Sequence, residues 1–245
     1  MLNKPFLKII AGIENRNAEN VLGIIDAAVF CKVSAIDICD DEQIIKLVKN
    51  LLVKSETKLF VSSLDAKNLV KASKLGADYL ELGNYDHLYP KGLIMTSKQI
   101  LEDVNYLLNR DLYNLSVTVP GYLSPNEQAD LAQELYESGV PIIQTEGGSI
   151  SKASHTGAIG QIEKAKITLA NTIELKIACP NACIMSAGSL SSITVPLALS
   201  AGASGIGIGK AISNLSSQIE MVAAIRSIQL AMNSVSVIHS DKLVA

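Results

Sequence analysis

The sequence has no tryptophan, and its aromatic residues make up only 4% of 245 residues. Hydrophobic residues nevertheless account for 48% of the chain, so isoleucine, leucine, valine and alanine must supply most of the core. Aliphatic runs of this kind are typical of parallel strands that are buried on both faces. A chain of this length can enclose a sizeable core, and we expect one domain over residues 1–245.

A strong net charge and long apolar runs are also missing. The net charge is −3 and the pI is near 5.7, which provides no basic surface for nucleic acid or an anionic membrane. No apolar run approaches the roughly 18 residues that a membrane-spanning helix needs. The first residues contain neither a signal-peptide cleavage site nor a serine- and arginine-rich transit segment. We therefore expect a small-molecule partner, with no nucleic acid and no membrane, and use in the compartment of synthesis.

Metal-binding patterns are absent as well. The four cysteines, Cys31, Cys39, Cys179 and Cys183, form no CxxC pair. The three histidines form no HxH or HxxxH pair. Dedicated metal sites in proteins usually need such closely spaced ligands, so the sequence predicts no metal site.

Apolar runs alternate with amphipathic segments along the whole chain. They predict eight strands, at about 6–12, 34–39, 58–63, 77–83, 114–120, 140–146, 182–187 and 204–209. Gly76, Gly139 and Gly202 each precede a predicted strand, where a helix C-cap glycine is expected. Eight βα units in one chain favour a closed, parallel, eight-stranded (β/α)₈ barrel, a TIM barrel, over an open doubly wound sheet.

The segment 184–211, IMSAGSLSSITVPLALSAGASGIGIGKA, has the strongest functional signal. It is typical of two strands that each turn through glycine into a helix. Backbone N–H groups at such turns bind anions, and phosphate in these barrels commonly lies after strands seven and eight. We therefore predict that Gly188, Ser189, Gly209 and Lys210 bind phosphate; tight packing at the closing seam is the alternative explanation for these glycines.

Polar residues alternate with apolar ones along several predicted strands. Because every second strand residue points into a barrel, Lys8, Asp37, Glu81 and Glu146 are predicted to point inward. A lone buried charge is unfavourable, so we expect Lys8 to pair with Asp37, Glu81 or both. These four residues are the predicted catalytic groups, with Lys8 or Glu146 as acid, base or Schiff-base amine. A barrel-filling ion network without chemistry is the alternative.

Two predicted loops are long, 84–96 and 147–156, and both follow strand C-termini. Long loops in a compact domain are often functional, and we predict that the second is a mobile cover over the site. His87 and His155 fall in these loops, and the sequence assigns neither a role. Asp41 and Asp65 are predicted to cap helices.

Several stretches resemble the hypothetical chloroplast open reading frame 23 family of algal plastids and cyanobacteria. They are KIIAGIENRN, AIDICDD, ELGNYDHLY, LSVTVPGYL, IIQTEGGSISK, SAGSLSSITVPLALSAGASGIGIG and MVAAIRSIQ. The resemblance implies an aldolase-type TIM barrel, located in the plastid stroma or in a cyanobacterial cytoplasm, and it implies no activity. That family usually has glycine before its second strand, where this chain has Lys32.

A more limited similarity extends to flavin-dependent barrels of the nitronate monooxygenase kind, in which a glutamine strand end leads into an EAGGH segment. Gln144, Glu146, Gly147 and Gly148 resemble that segment, although the next histidine is His155. The similarity implies that Gln144, Gly147 and Gly148 contact a phosphate or cofactor, and that the cofactor is FMN. Thiazole-synthase and indole-glycerol-phosphate-synthase barrels share the glycine-rich end.

Three functions follow from these observations. The first is an enzyme that binds a phosphorylated small molecule at the C-terminal face of the barrel. The second is an FMN-dependent oxidoreductase, and the third is a non-catalytic barrel that binds a metabolite or protein partner. The sequence predicts no oligomeric state.

Overall fold

The computed structural model describes residues 5–83, 85–147 and 153–240, without the side chains of His87 and of residues 236–240. Its strands form one closed barrel in which each strand pairs in parallel with its neighbours in sequence, and β8 pairs with β1. The strands are β1 (Phe6–Ile10), β2 (Ala35–Cys39), β3 (Lys58–Ser63), β4 (Tyr79–Leu82), β5 (Leu115–Val119), β6 (Ile142–Thr145), β7 (Ile184–Ala187) and β8 (Gly205–Ile208). The predicted (β/α)₈ TIM barrel is confirmed.

Helices cover the outside of the barrel. They are α1 (Ala18–Phe30), α2 (Glu42–Leu52), α3 (Ala66–Lys74), α4 (Ser97–Leu108), α5 (Pro125–Glu137), α6 (Gly157–Ala178), α7 (Val195–Ser200), α8 (Lys210–Ser213) and α9 (Gln218–Ser240), with a short 3₁₀ helix at Asp86–Lys91. Within the described residues no helix is long and apolar enough to cross a membrane.

The residues that the sequence predicts at helix starts and helix ends are confirmed in these positions. The side chains of Asp41 and Asp65 accept hydrogen bonds from the backbone at the starts of α2 and α3. Gly76, Gly139 and Gly202 have φ values of +91°, +85° and +101°, which glycine adopts without steric strain. Lys32, where the resembled family usually has glycine, also takes a left-handed φ of +54°.

Aromatic and large aliphatic side chains close the N-terminal end of the barrel. Phe6, Phe60, Ile142 and Met185 form a buried cluster there, and the Phe60 and Tyr79 rings stack with centroids 4.5 Å apart. Polar side chains occupy the barrel above this cluster. The apolar core between strands and helices surrounds both layers.

Candidate functional site

A cavity of about 490 Å³ opens at the C-terminal end of the barrel. The ends of β1, β6, β7 and β8 and the loops that follow them form most of its wall. On the β7–β8 side the inward residues are small, with Ala187 and Gly207 next to each other. The cavity therefore lies beside the two glycine turns, at the end of the barrel where TIM-barrel enzymes hold their substrates.

A buried ion pair lies in the barrel beneath the cavity. The Lys8 ammonium donates to Glu81 Oε2, and both side chains are fully buried. Lys8 Nζ also lies 4.8 Å from the centroid of the Phe60 ring. The predicted pairing of Lys8 with an inward acid is confirmed, and Glu81 on β4 is the partner.

Asp37 is a second buried acid in the same layer. Its Oδ1 accepts a hydrogen bond of 2.5 Å from Ser62 Oγ. Burial, together with the nearby Glu81 carboxylate, raises the pKa of Asp37 from 3.8 to about 7, although Lys8 opposes the rise. One cation thus faces two acids, and Asp37 holds a proton up to neutral pH.

Gln144 on β6 connects this layer to the cavity. Its Nε2 donates to Glu81 Oε1 at 2.8 Å and to Thr118 Oγ1 at 3.0 Å. Its Oε1 is buried and accepts no hydrogen bond from any residue that the structure describes. Gln144 also lines the cavity, and a buried acceptor without a partner is unusual in a folded protein.

Glu146, just after β6, is held from two other loops. Its Oε2 accepts a hydrogen bond from the Tyr89 hydroxyl and one of 2.7 Å from the Gly121 backbone N–H. Tyr89 packs edge-on against Tyr122, whose hydroxyl donates to the Met95 carbonyl at 3.0 Å. The long loop after β4 therefore reaches across to β6 and fixes the carboxylate of a residue that lines the cavity.

The turn after β7 packs tightly against the turn after β6. A Cβ added to Gly188 would lie 2.7 Å from Thr168 Oγ1, and one added to Gly147 would lie 2.9 Å from the Gly188 Cα. Gly188 has a φ of +117°, and the Gly188 carbonyl accepts a hydrogen bond of 2.7 Å from Thr168. Close packing thus accounts for the glycine at position 188.

The turn after β8 is different. A Cβ added to Gly209 would have ordinary contacts, the nearest being Ile10 Cβ at 3.8 Å. Packing therefore does not explain the glycine there. The backbone N–H groups of Ser189, Gly209 and Lys210 donate to no other described residue. All three residues line the cavity, so the unused donors of both turns belong to residues around the same space.

The structure separates the predicted site residues into two groups. Those that line the cavity are Gln144, Glu146, Gly147, Gly188, Ser189, Gly209 and Lys210. Lys8, Asp37 and Glu81 are buried beneath it and do not line it. Residues 148–152, which include Gly148 and make up half of the predicted cover loop 147–156, lie outside the described residues. His155 Nδ1 is 2.7 Å from Glu163 Oε1, in an exposed pair.

Several residues that line the cavity, or that hold a lining residue in place, were not predicted from the sequence. Tyr85, Asn15 and Lys164 line it, and Tyr89 holds Glu146. The ELGNYDHLY stretch contained Tyr85 and Tyr89 and was a signal for that loop. Among the described residues, no group of three His, Cys, Asp or Glu side chains is arranged to hold a metal ion.

A second depression, of about 480 Å³, lies at the opposite end of the barrel. It is formed by the start of β1, the turn before β2 and helix α9, and includes the cations Lys32 and Arg226. Strand C-termini do not contribute to it, and none of the buried unpartnered polar groups of the described chain lines it. The C-terminal cavity is therefore the stronger candidate.

Comparison with sequence families places the chain in a known group. The model of the family described as "Protein of unknown function (DUF561)" matches residues 1–238. The uncharacterised protein ycf23 of Porphyra purpurea is 37% identical over 238 residues, which covers 93% of this chain and 85% of the relative. Its counterpart in Cyanidium caldarium is 37% identical over 230 residues, which covers 93% of this chain and 90% of the relative. These relatives are algal plastid proteins.

Solved structures share the fold at low sequence identity. A 3-hexulose-6-phosphate synthase has a TM-score of 0.65 at 18% identity, covering 92% of this chain and 99% of its own. KGPDC from Streptococcus mutans in complex with D-R5P has a TM-score of 0.62 at 16% identity, and the match covers 94% of this chain and 98% of that one. A protein described as an aldolase has a TM-score of 0.61 at 14% identity, covering 94% and 99%. The fold is the aldolase-type TIM barrel.

Proposed function

The chain belongs to the DUF561 family of proteins of unknown function, and we propose that it is an enzyme that acts on a phosphorylated small molecule. The ligand binds in the C-terminal cavity, with its phosphate on the turns after β7 and β8. The observation that supports this most is the set of unused backbone donors at Ser189, Gly209 and Lys210, which share one cavity.

The phosphate end follows from the chemistry of these donors. Backbone N–H groups without a partner bind phosphate oxygens well, and Gly209 has no Cβ to obstruct an approaching anion. Two lysines, Lys210 and Lys164, also line the cavity and provide positive charge for a phosphate. The solved structures with the same fold include proteins whose names contain a phosphorylated compound, which is consistent with such a ligand.

The other end of the ligand meets Glu146 and Gln144. We assign Glu146 the acid–base role, because this residue lines the cavity and Tyr89 and Gly121 hold one of its carboxylate oxygens in place. Glu146 takes a proton from a carbon or hydroxyl of the ligand and returns it to the product. The Gln144 carbonyl oxygen accepts a hydrogen bond from a hydroxyl of the ligand, which favours a hydroxylated substrate such as a sugar phosphate.

Three charged residues buried beneath the cavity, Lys8, Asp37 and Glu81, contribute to the site without lining it. Since Glu81 accepts from Gln144 Nε2, the buried ion pair fixes the direction in which the Gln144 amide points. In this proposal the three charged residues act through Gln144 and are positioning residues. A catalytic role for them stays a prediction that requires their access to the ligand.

A pair of variants matched in size but not in charge tests the phosphate site. Inorganic phosphate and ribose 5-phosphate should raise the Tm of the wild type, by roughly 5–10 °C at a hundred times the Kd. Gly209→Asp should abolish this rise, because a carboxylate repels the phosphate. Gly209→Asn has nearly the same size without the charge and should keep part of it. Gly23→Asp, on α1 with open space around it, is the control for a new acid elsewhere.

Two results would contradict the proposal. The first is an equal rise in Tm for the wild type and Gly209→Asp. The second is a purified protein with the absorption spectrum of bound flavin, because the phosphate on these turns would then belong to FMN, and the protein would be an FMN oxidoreductase rather than an enzyme with Glu146 as its acid–base group.

The relatives also suggest where the protein works. We propose the plastid stroma when the source has plastids, and the cytoplasm when it is a cyanobacterium, because the matched relatives are algal ycf23 proteins. Immunodetection in fractionated cells checks this, and recovery with the envelope or thylakoid membranes would contradict it.

A further inference from the structure

Helix α6 presents an apolar stripe to the outside of the protein. Ile159, Ile162, Ile173 and Ile177 are 59%, 42%, 45% and 70% exposed. At 100° per residue these four side chains fall within an arc of about 60° of the helix. They lie on one side of the helix as two pairs, Ile159 with Ile162 and Ile173 with Ile177, separated by Lys166 and Ala170. We call this side the α6 stripe, and the rest of the described chain leaves its isoleucines exposed.

The opposite face of α6 is buried, and it carries polar side chains beside the apolar Ala165 and Leu175. Thr168 bonds to the Gly188 carbonyl, Asn171 Nδ2 lies 3.4 Å from the Glu146 carbonyl, and Thr172 Oγ1 lies 2.5 Å from Ser186 Oγ. A helix of a monomeric barrel normally turns its apolar side inward and its polar side to water. Because α6 also exposes four isoleucines on its outer side, we expect an apolar partner there.

The sequence of the stripe is nearly symmetric about position 168. Ile159 and Ile177 each lie nine residues from it, and Ile162 and Ile173 lie six and five residues from it. A surface that packs on its own copy about a two-fold axis must be self-complementary in this way. We propose that two copies of this chain associate through antiparallel packing of their α6 stripes.

Charge and size along the stripe agree with this register. Lys166 and Ala170 lie two residues on either side of position 168, so the lysine of one copy faces the small alanine of the other. One turn beyond that alanine is Glu174, which is exposed. Each Lys166 can therefore pair with the Glu174 of the other copy, twice in the dimer.

The apolar area is of the size that an interface core requires. Together the four half-exposed isoleucines present apolar surface on the order of 300–600 Å², which is in the range of the largest patch of a typical monomer. A standard interface covers about 800 Å² on each partner, and polar residues supply the rest. Ile193 and Leu197, 45% and 43% exposed, add apolar surface just before and within α7, a helix that contacts α6.

Sedimentation equilibrium of the full chain tests the dimer. The wild type should be dimeric at micromolar concentration, and Ile173→Glu should raise the dissociation constant at least 10-fold. Ile219→Glu is the matched control, because Ile219 on α9 is 83% exposed and lies outside the stripe. Circular dichroism verifies that each variant is folded. A wild type that stays monomeric, or an Ile173→Glu variant that dimerises as the wild type does, would overturn the proposal.

A charge exchange tests the antiparallel register. Lys166→Glu and Glu174→Lys should each weaken the dimer several-fold, and the double variant should restore it. Within one helix these residues are eight apart, about 12 Å along the axis, so they cannot pair in the same copy. Failure of the double variant to recover would overturn the register. Association is measured without ligand, so the outcome is independent of the phosphate proposal.

Discussion

Replacing Asp37 with asparagine should make the protein more stable, and increasingly so as the pH rises. Asp37 is 1% exposed, and its carboxyl already shares the barrel with the ionised pair of Lys8 and Glu81. Its pKa is raised from 3.8 to about 7, chiefly by burial and then by Glu81. Asparagine has the same shape, keeps an oxygen to accept the Ser62 hydrogen bond, and never ionises.

The magnitude follows from the two pKa values. Between pH 3.8 and pH 7 the unfolded chain has lost the proton while the folded chain keeps it, so the wild type loses stability as the pH rises through this window. Each pH unit in the window corresponds to about 1.4 kcal/mol. The free energy of unfolding of Asp37→Asn, relative to the wild type, should therefore increase by roughly 2–3 kcal/mol between pH 5 and pH 8.

Urea unfolding of both proteins at several pH values measures this difference, and other titrating groups cancel because the two chains share them. A difference that stays constant between pH 5 and pH 8 would mean that Asp37 is ionised throughout, and would refute the reasoning. So would a variant that is less stable at every pH, because the fold would then depend on the carboxylate charge.

Two further substitutions probe the barrel interior and the turns. Lys8→Met should lower stability by about 3–5 kcal/mol, because it leaves Glu81 buried without its cation. Adding Glu81→Gln should recover a large part of that loss in denaturant melts, and no recovery would argue against the pairing. Gly188→Ala should cost roughly 2–5 kcal/mol through its left-handed backbone and its overlap with Gly147 and Thr168. The control Gly209→Ala should cost less than about 1 kcal/mol, since its Cβ has room; equal losses would contradict the packing analysis.

The barrel could be predicted from the sequence because its signals are local. Aliphatic runs of strand length, glycines such as Gly76 before strands, and acids such as Asp41 at helix starts each reflect contacts within a few residues. Strand alternation also placed Lys8 and Glu81 inside the barrel. The choice of Glu81 over Asp37 as the partner of Lys8 depends on how neighbouring strands are staggered, which the pattern does not contain.

The remaining features depend on contacts between distant segments. Tyr89 reaches Glu146 across 57 positions of the chain, and no spacing in the sequence indicates that pair. Gly188 and Gly209 look alike in the sequence, yet one packs on Gly147 and the other borders open space. The apolar outer face of α6 was not predicted either, since its periodicity suits an inward face equally well.

A crystal structure of the protein soaked with ribose 5-phosphate tests most directly whether the turns after β7 and β8 bind phosphate. We expect phosphate oxygens within about 3 Å of the Ser189 and Lys210 backbone nitrogens, with a sugar hydroxyl on the Gln144 oxygen. Phosphate bound only at the opposite end of the barrel, beside Lys32 and Arg226, would contradict the proposal. An empty C-terminal cavity at saturating ligand would contradict it equally.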